Sequence, residues 1–312
     1  MIERVPLEGD YAKPAEPGWR ESDWPAREHD ALVAGRRLHY VDAGGGDVAF
    51  VLVHGMGGRW QHWLETIPAL AERGRVLALD LPGFGRSERP AGGASLDGYA
   101  DTAGELARTL GIDRVVLVGH SMGGLIALRF AARHPELAAG IVLVSGALYQ
   151  FSALLGMRDV VRFARERPRE TASIAMEIAT AGLPAPASLR GLLVGSPALR
   201  RVFLSPYVHD PLALPLDVVR LIVDGAGARG VFPTVRAIGR SDPREGQNRV
   251  RCPILSLAAE HDRIAPLQDT QTLASDLPQA HTVIFDGSGH MAMLERPDAV
   301  NAQILRFAGE LG

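Results

Sequence analysis

Short apolar runs recur along the chain at 49–53, 76–79, 115–118, 141–144, 254–257 and 282–285. Runs that lack polar alternation mark strands buried on both faces of a parallel sheet. Ahead of them, 29–33 and 37–42 flank Ala34, Gly35 and Arg36 and read as a β-hairpin closed by three glycines at 44–46. His39 falls in this hairpin and reads as structural. Good helix formers fill intervals such as 97–110 and 124–134, so strand and helix alternate. The pattern predicts an α/β fold, an eight-stranded, mostly parallel sheet with helices on both sides.

One interval breaks the rhythm. From Val144 to Ile254 the chain is far longer than a normal connection. Its pieces at 152–167, 170–181 and 216–223 have helical spacing, and Pro168, Pro184, Pro197 and Pro211 punctuate them. We read an inserted, mostly helical cap over the carboxyl edge of the sheet. The expected division is an N-terminal strap over 1–30, a core over 31–146 and 251–312, and the cap over 147–250. The stripe Leu154, Met157, Val161 and Ala164 is expected to be the cap's own packing face. The strap carries Trp19 and Trp24 among prolines and charges and is expected to pack on the surface, with a homodimer arm as the other reading.

Composition narrows the classes. With 312 residues, 46% of them hydrophobic, the chain can bury a sizeable core. A formal charge of -3 and arginines spread without a basic block exclude a nucleic-acid partner. The single cysteine, Cys252, cannot close an internal disulfide and reads as a buried small hydrophobe, with no metal or redox role. No stretch has the ~20 apolar residues of a membrane span, and the first residues lack a signal-peptide core. A cytoplasmic protein with a small-molecule substrate and no cofactor or metal is expected.

The chemistry gathers at Ser121, which stands between Gly119 and Gly123 where the run 115–118 gives way to helix formers. A sharp strand-to-helix turn there leaves no room for a Cβ at either glycine and pushes the serine oxygen into the open. The competing reading is a serine that caps a helix. Acyl chemistry needs a base and a carboxylate to orient it. Asp262 lies on the loop after the seventh strand and His290 on the loop after the eighth, so parallel strands bring both to the edge that carries Ser121. Glu260, His261 and Asp286 are the competitors at those loops. Glycines 55, 57 and 58 let the loop after 49–53 turn back, so that the Met56 N–H joins that of Met122 as an oxyanion hole. His54 is expected to brace this loop, and the stretch from Asp80 to Ser87 to form a rigid turn beside it.

Taken together, His54 to Gly58, Asp80 to Ser87, Gly119 to Gly124, Glu260 to Pro266 and Gly289 to Pro297 resemble the α/β-hydrolase family in content and order, over nearly all of the chain beyond the first thirty residues. The resemblance implies nucleophile Ser121, acid Asp262, base His290 and oxyanion donors Met56 and Met122. A serine at the nucleophile position speaks against the branches that use aspartate there. Trp60, His62 and Trp63 are candidate pocket residues, with packing under the cap the favoured reading. The function implied is hydrolysis of an ester, lactone or thioester through an acyl-enzyme. The alternatives are carbon–carbon hydrolysis of ring-cleavage products and a non-catalytic ligand-binding role.

Overall fold

A computed structural model describes residues 2–46, 48–156 and 160–311. The strands are β1 (Ile2–Val5), β2 (Glu28–Val33), β3 (Arg36–Gly44), β4 (Ala49–Val53), β5 (Arg75–Leu79), β6 (Val115–His120), β7 (Ala138–Val144), β8 (Ile254–Ala259) and β9 (Ala280–Phe285). They form one nine-stranded sheet in the order β1-β9-β8-β7-β6-β4-β5-β3-β2. The β2–β3 hairpin is antiparallel, as is the β3–β5 pair, and every other pair is parallel.

The sheet has one strand more than the eight expected. The addition is β1, inside the segment read as an irregular strap, where Ile2 to Val5 pairs with Thr282 to Phe285. Four residues at the sheet's edge, exposed in alternation, leave no continuous apolar run, and the pairing is held by ion pairs from Arg4 to Glu260 and Asp286.

Both faces of the sheet are covered. Val51, Val53, Leu77, Leu79, Val115 and Leu117 point into one core, with helices α2 (Leu96–Thr109) and α3 (Met122–Arg133). Phe50, Leu52, Val76, Ala78, Val116 and Val118 point into the other, against α1 (Ile67–Ala71) and α13 (Pro297–Gly309). This two-sided burial is why the strands read as unbroken apolar runs. Between β8 and α13 lie α11 (Leu267–Asp276) and α12 (Ala292–Glu295).

Between β7 and β8 the described residues fold as α4 (Tyr149–Leu155), α5 (Val160–Glu166), α6 (Pro168–Gly182), α7 (Ala187–Gly195), α8 (Pro197–Leu204), α9 (Leu216–Val223) and α10 (Val231–Arg240). Prolines open α6 and α8, where a missing N–H costs nothing. The expected packing stripe holds only in part: Leu154 packs against the core and Ala164 is half-buried, but Val161 is 65% exposed, and Met157 lies outside the described residues. The rest of the strap wraps the core. Ala15 N and Trp19 Nε1 each donate to the buried Glu65 carboxylate at 2.8 Å, and Trp24 packs on Trp60 with ring centroids 5.4 Å apart. Cys252 is partly exposed, which corrects its reading as buried. No helix among the described residues is long and apolar enough to cross a membrane.

Candidate active site

Ser121 sits between β6 and α3 with φ 55° and ψ -119°, a left-handed conformation that costs a non-glycine residue energy and persists only where its surroundings hold it. Its surroundings do hold it. The Ser121 N–H donates to Val144 O at 3.0 Å, and its carbonyl accepts from Gly124 N at 2.9 Å and Ala147 N at 3.1 Å. A Cβ at Gly119 would lie 2.1 Å from the Gly123 carbonyl oxygen, and one at Gly123 would lie 2.5 Å from Val53 O. The glycine spacing is therefore a steric demand of the turn. The hydroxyl accepts no capping bond from α3, which removes the helix-cap reading.

His290 and Asp262 meet as expected from their strand ends. Asp262 Oδ2 accepts from His290 Nδ1 at 2.8 Å, while Asp262 Oδ1 accepts from the N–H groups of Ile264 and Ala265, each at 2.8 Å. Both side chains are out of solvent, at 1% and 0% exposure. With Nδ1 donating to the carboxylate, Nε2 carries the lone pair, and this buried atom has no hydrogen-bond partner among the described residues. Ser121 is joined to the pair through its neighbour: His120 Nε2 donates to the His290 carbonyl at 2.9 Å, and the two rings lie 4.8 Å apart.

Burial works against a charged His290, but the Asp262 carboxylate, followed by Glu177 and Glu295, outweighs it and holds the imidazole pKa above its ordinary 6.5. His120 goes the other way: burial and the neighbouring His290 hold its pKa well below 6.5, so it is a neutral donor.

The competitors are occupied elsewhere. Glu260 and Asp286 both pair with Arg4, and His261, with its side chain half exposed, stacks on His209 at 4.4 Å. The loop after β4 turns back as expected. A Cβ on Gly55 would lie 2.9 Å from the Ser121 Cβ, which puts the start of that loop, and Met56 after it, against the serine turn. His54 braces it, donating from Nδ1 to Gly55 O at 2.8 Å and accepting from Leu81 N at 3.0 Å through Nε2. Asp80 ties down the neighbouring turn by accepting from Trp60 N and Arg86 N.

A cavity of about 550 Å³ opens over this edge, with Met56, His120 and His290 in its floor and residues of α6, α7 and α8 in its walls. Trp60 and Trp63, weighed as substrate contacts against packing under the cap, do not line it. They are 2% and 0% exposed and belong to the core on the α1 side of the sheet. Their large rings fill space between the strap, the cap and the sheet, while the intervening His62 reaches the cavity and bonds Leu221 O at 3.1 Å.

Sequence reasoning missed two buried acids. Glu295, five residues after His290, accepts from Gly289 N, His209 N and the Tyr11 hydroxyl and so fixes the loop that carries the imidazole. Burial pushes its pKa up to about 7. Glu177, on α6, lines the cavity and is likewise pushed up to about 7 by burial. Its signal was available: a lone carboxyl inside the apolar stretch Ile174, Ala175, Met176, Ile178, Ala179. No group of three or more metal-ligating side chains is arranged for a metal among the described residues.

Comparison with known proteins agrees with this fold. A model of the alpha/beta hydrolase fold matches residues 48–297. A 2-hydroxy-6-oxononadienedioate/2-hydroxy-6-oxononatrienedioate hydrolase of Paraburkholderia phymatum is 29% identical over 288 residues, 88% of this chain and 91% of that one. Among solved structures, a meta-cleavage product hydrolase from Pseudomonas fluorescens IP01 superposes with a TM-score of 0.68 at 22% identity, covering 91% of this chain and 98% of the other. A thermophilic esterase from Thermogutta terrifontis gives 0.66 at 22% identity over 91% and 98%. Likenesses at this identity speak for the fold alone.

Proposed function

Because the chain belongs to the alpha/beta hydrolase fold family, whose model spans residues 48–297, we propose that it is a serine hydrolase that cleaves an ester-type bond of a small organic substrate through an acyl-enzyme. The observation that carries this reading is the buried His290–Asp262 pair, whose Nε2 is left without a partner among the described residues and which is tied through His120 to the strained, uncapped Ser121. In the reaction, the Ser121 Oγ attacks the acyl carbon as His290 Nε2 takes its proton. Asp262 holds the imidazole in the required tautomer and stabilises the imidazolium. The carbonyl oxygen, now negative, is held by the N–H groups of Met56 and Met122, each donor worth ~3 to 4 kcal/mol of barrier. His290 then protonates the departing alcohol, and the same steps with water as nucleophile release the acid and restore Ser121.

The cavity favours an ester of mainly apolar character, since its cap-side walls are leucines and Phe203. The carbon–carbon alternative takes its support from a relative named for a dienedioate. The carboxylates of such a compound would enter a cavity that already holds Glu177, and the cavity's arginine, Arg190, is paired with Asp224. We therefore keep the ester reading.

The test is a panel of neutral p-nitrophenyl and alkyl esters assayed across pH. Turnover requires a neutral His290, and its pKa is raised. The value of kcat/KM should therefore fall as pH drops, with the acid limb centred above 6.5. Absence of ester turnover in folded protein, or a limb centred well below that value, would refute the assignment.

A further inference from the structure

Glu177 is 3% exposed, it lines the cavity, and its Oε2 has no hydrogen-bond partner among the described residues. A buried carboxylate without a partner is unfavourable, and natural sites tolerate one chiefly where a ligand completes it. The polar groups nearest along the wall do not serve. Tyr207 and Thr180 are bonded to each other, hydroxyl to hydroxyl, at 2.7 Å. Arg190, which also lines the cavity, donates from Nη1 to Ala185 O at 2.7 Å and pairs with Asp224 through Nε at 3.2 Å.

The charge around the cavity is one-sided. Above the value of about 7 to which burial pushes Glu177 and Glu295, these two and Asp262 are three carboxyl groups close enough to act on His290, and the two other imidazoles that line the cavity, His62 and His120, are neutral: burial takes His62 down to about 3, and His120 lies well below its ordinary value. The walls beyond Glu177 are apolar, including Leu183, Leu189, Leu192 and Phe203. An unsatisfied acid beside an apolar chamber, in a negative field, complements one kind of ligand.

We propose that Glu177 is the specificity determinant of this cavity and takes the ammonium group of a substrate whose remainder is an apolar chain. For the fate of that chain the inference rests on the ester-hydrolase reading. The ammonium pairs with Oε2, the chain lies along the leucines, and the ester carbonyl falls toward Ser121. The recognition step itself moves no covalent bond.

The test is calorimetric titration of the full chain at about pH 8 with hexylammonium chloride and with sodium hexanoate, which share one chain and differ in head-group charge. Wild type is expected to bind hexylammonium ~10-fold or more tightly than hexanoate, the preference a desolvated opposite charge supplies. In Glu177→Gln the ratio should fall to within about twofold of unity. Because both ligands are titrated into the same sample, a partly unfolded variant changes the two stoichiometries alike and leaves the ratio readable. A wild type that binds hexanoate as well as hexylammonium or that binds neither, or a Glu177→Gln variant that keeps the preference, would overturn the inference. Titration needs no turnover. Absence of the ammonium preference in a wild type that still hydrolyses neutral esters defeats the inference alone, whereas a wild type that has the preference without ester turnover defeats the hydrolase reading alone.

Discussion

Replacing Ser121 with alanine is expected to lower kcat on any ester substrate by about 10⁶-fold, the scale seen when a serine nucleophile is lost. The fold should survive. The hydroxyl makes no capping bond to α3, and the backbone bonds that hold the turn, to Val144, Gly124 and Ala147, do not involve the side chain. A β-carbon is already accommodated at φ 55° in the native turn, so alanine adds no strain. The check is a kcat measured beside a thermal melt. Activity within tenfold of wild type in a folded variant would take the nucleophile's role from Ser121.

The second large effect belongs to Asp262. In Asp262→Asn the side-chain oxygen can still accept from Ile264 and Ala265, as Oδ1 does now at 2.8 Å. The amide nitrogen then faces His290 Nδ1 and donates to it, which moves the imidazole proton to Nε2, where it blocks acceptance from Ser121. Turnover should fall by ~10⁴-fold with little change in KM. The acid limb of the pH profile should also shift downward, because the charge that raises the His290 pKa most strongly is gone. Unchanged turnover, or a loss confined to KM, would show that Asp262 does not orient the base.

Much of this was readable in the sequence because burial on both faces leaves a plain record. Strands β4, β6 and β8 are buried along their whole length and β9 nearly so, so they appear as apolar runs, and the catalytic candidates follow from counting loops at their ends. The turn at Ser121 was readable for a steric reason, since Gly119 and Gly123 stand where a Cβ would meet backbone oxygen. The edge strand β1 was not. Its four residues alternate in exposure, and its partner β9 lies at the other end of the chain. Which of Trp60, His62 and Trp63 reaches the cavity was not legible, because sequence shows a large apolar ring but not which side of a sheet it faces. Trp60 and Trp63 went to the core on the α1 side, and His62 between them went to the cavity. Glu177 was passed over for a related reason. Periodicity counts a carboxyl as a solvent-facing position, yet α6 turns this one inward, to 3% exposure. An insertion whose described residues form seven helices between β7 and β8 has many ways to pack, and only the packed structure tells which of its side chains line the cavity.

Activation of Ser121 as a nucleophile by His290 is open to direct chemical trapping. Folded wild-type protein is treated with a fluorophosphonate probe, digested, and the adduct located by mass spectrometry. A single covalent phosphonate on Ser121 is expected, formed rapidly at neutral to mildly alkaline pH, slowed in Asp262→Asn and absent in Ser121→Ala. Folded protein that takes up no probe, or that carries the adduct on another residue, would contradict it.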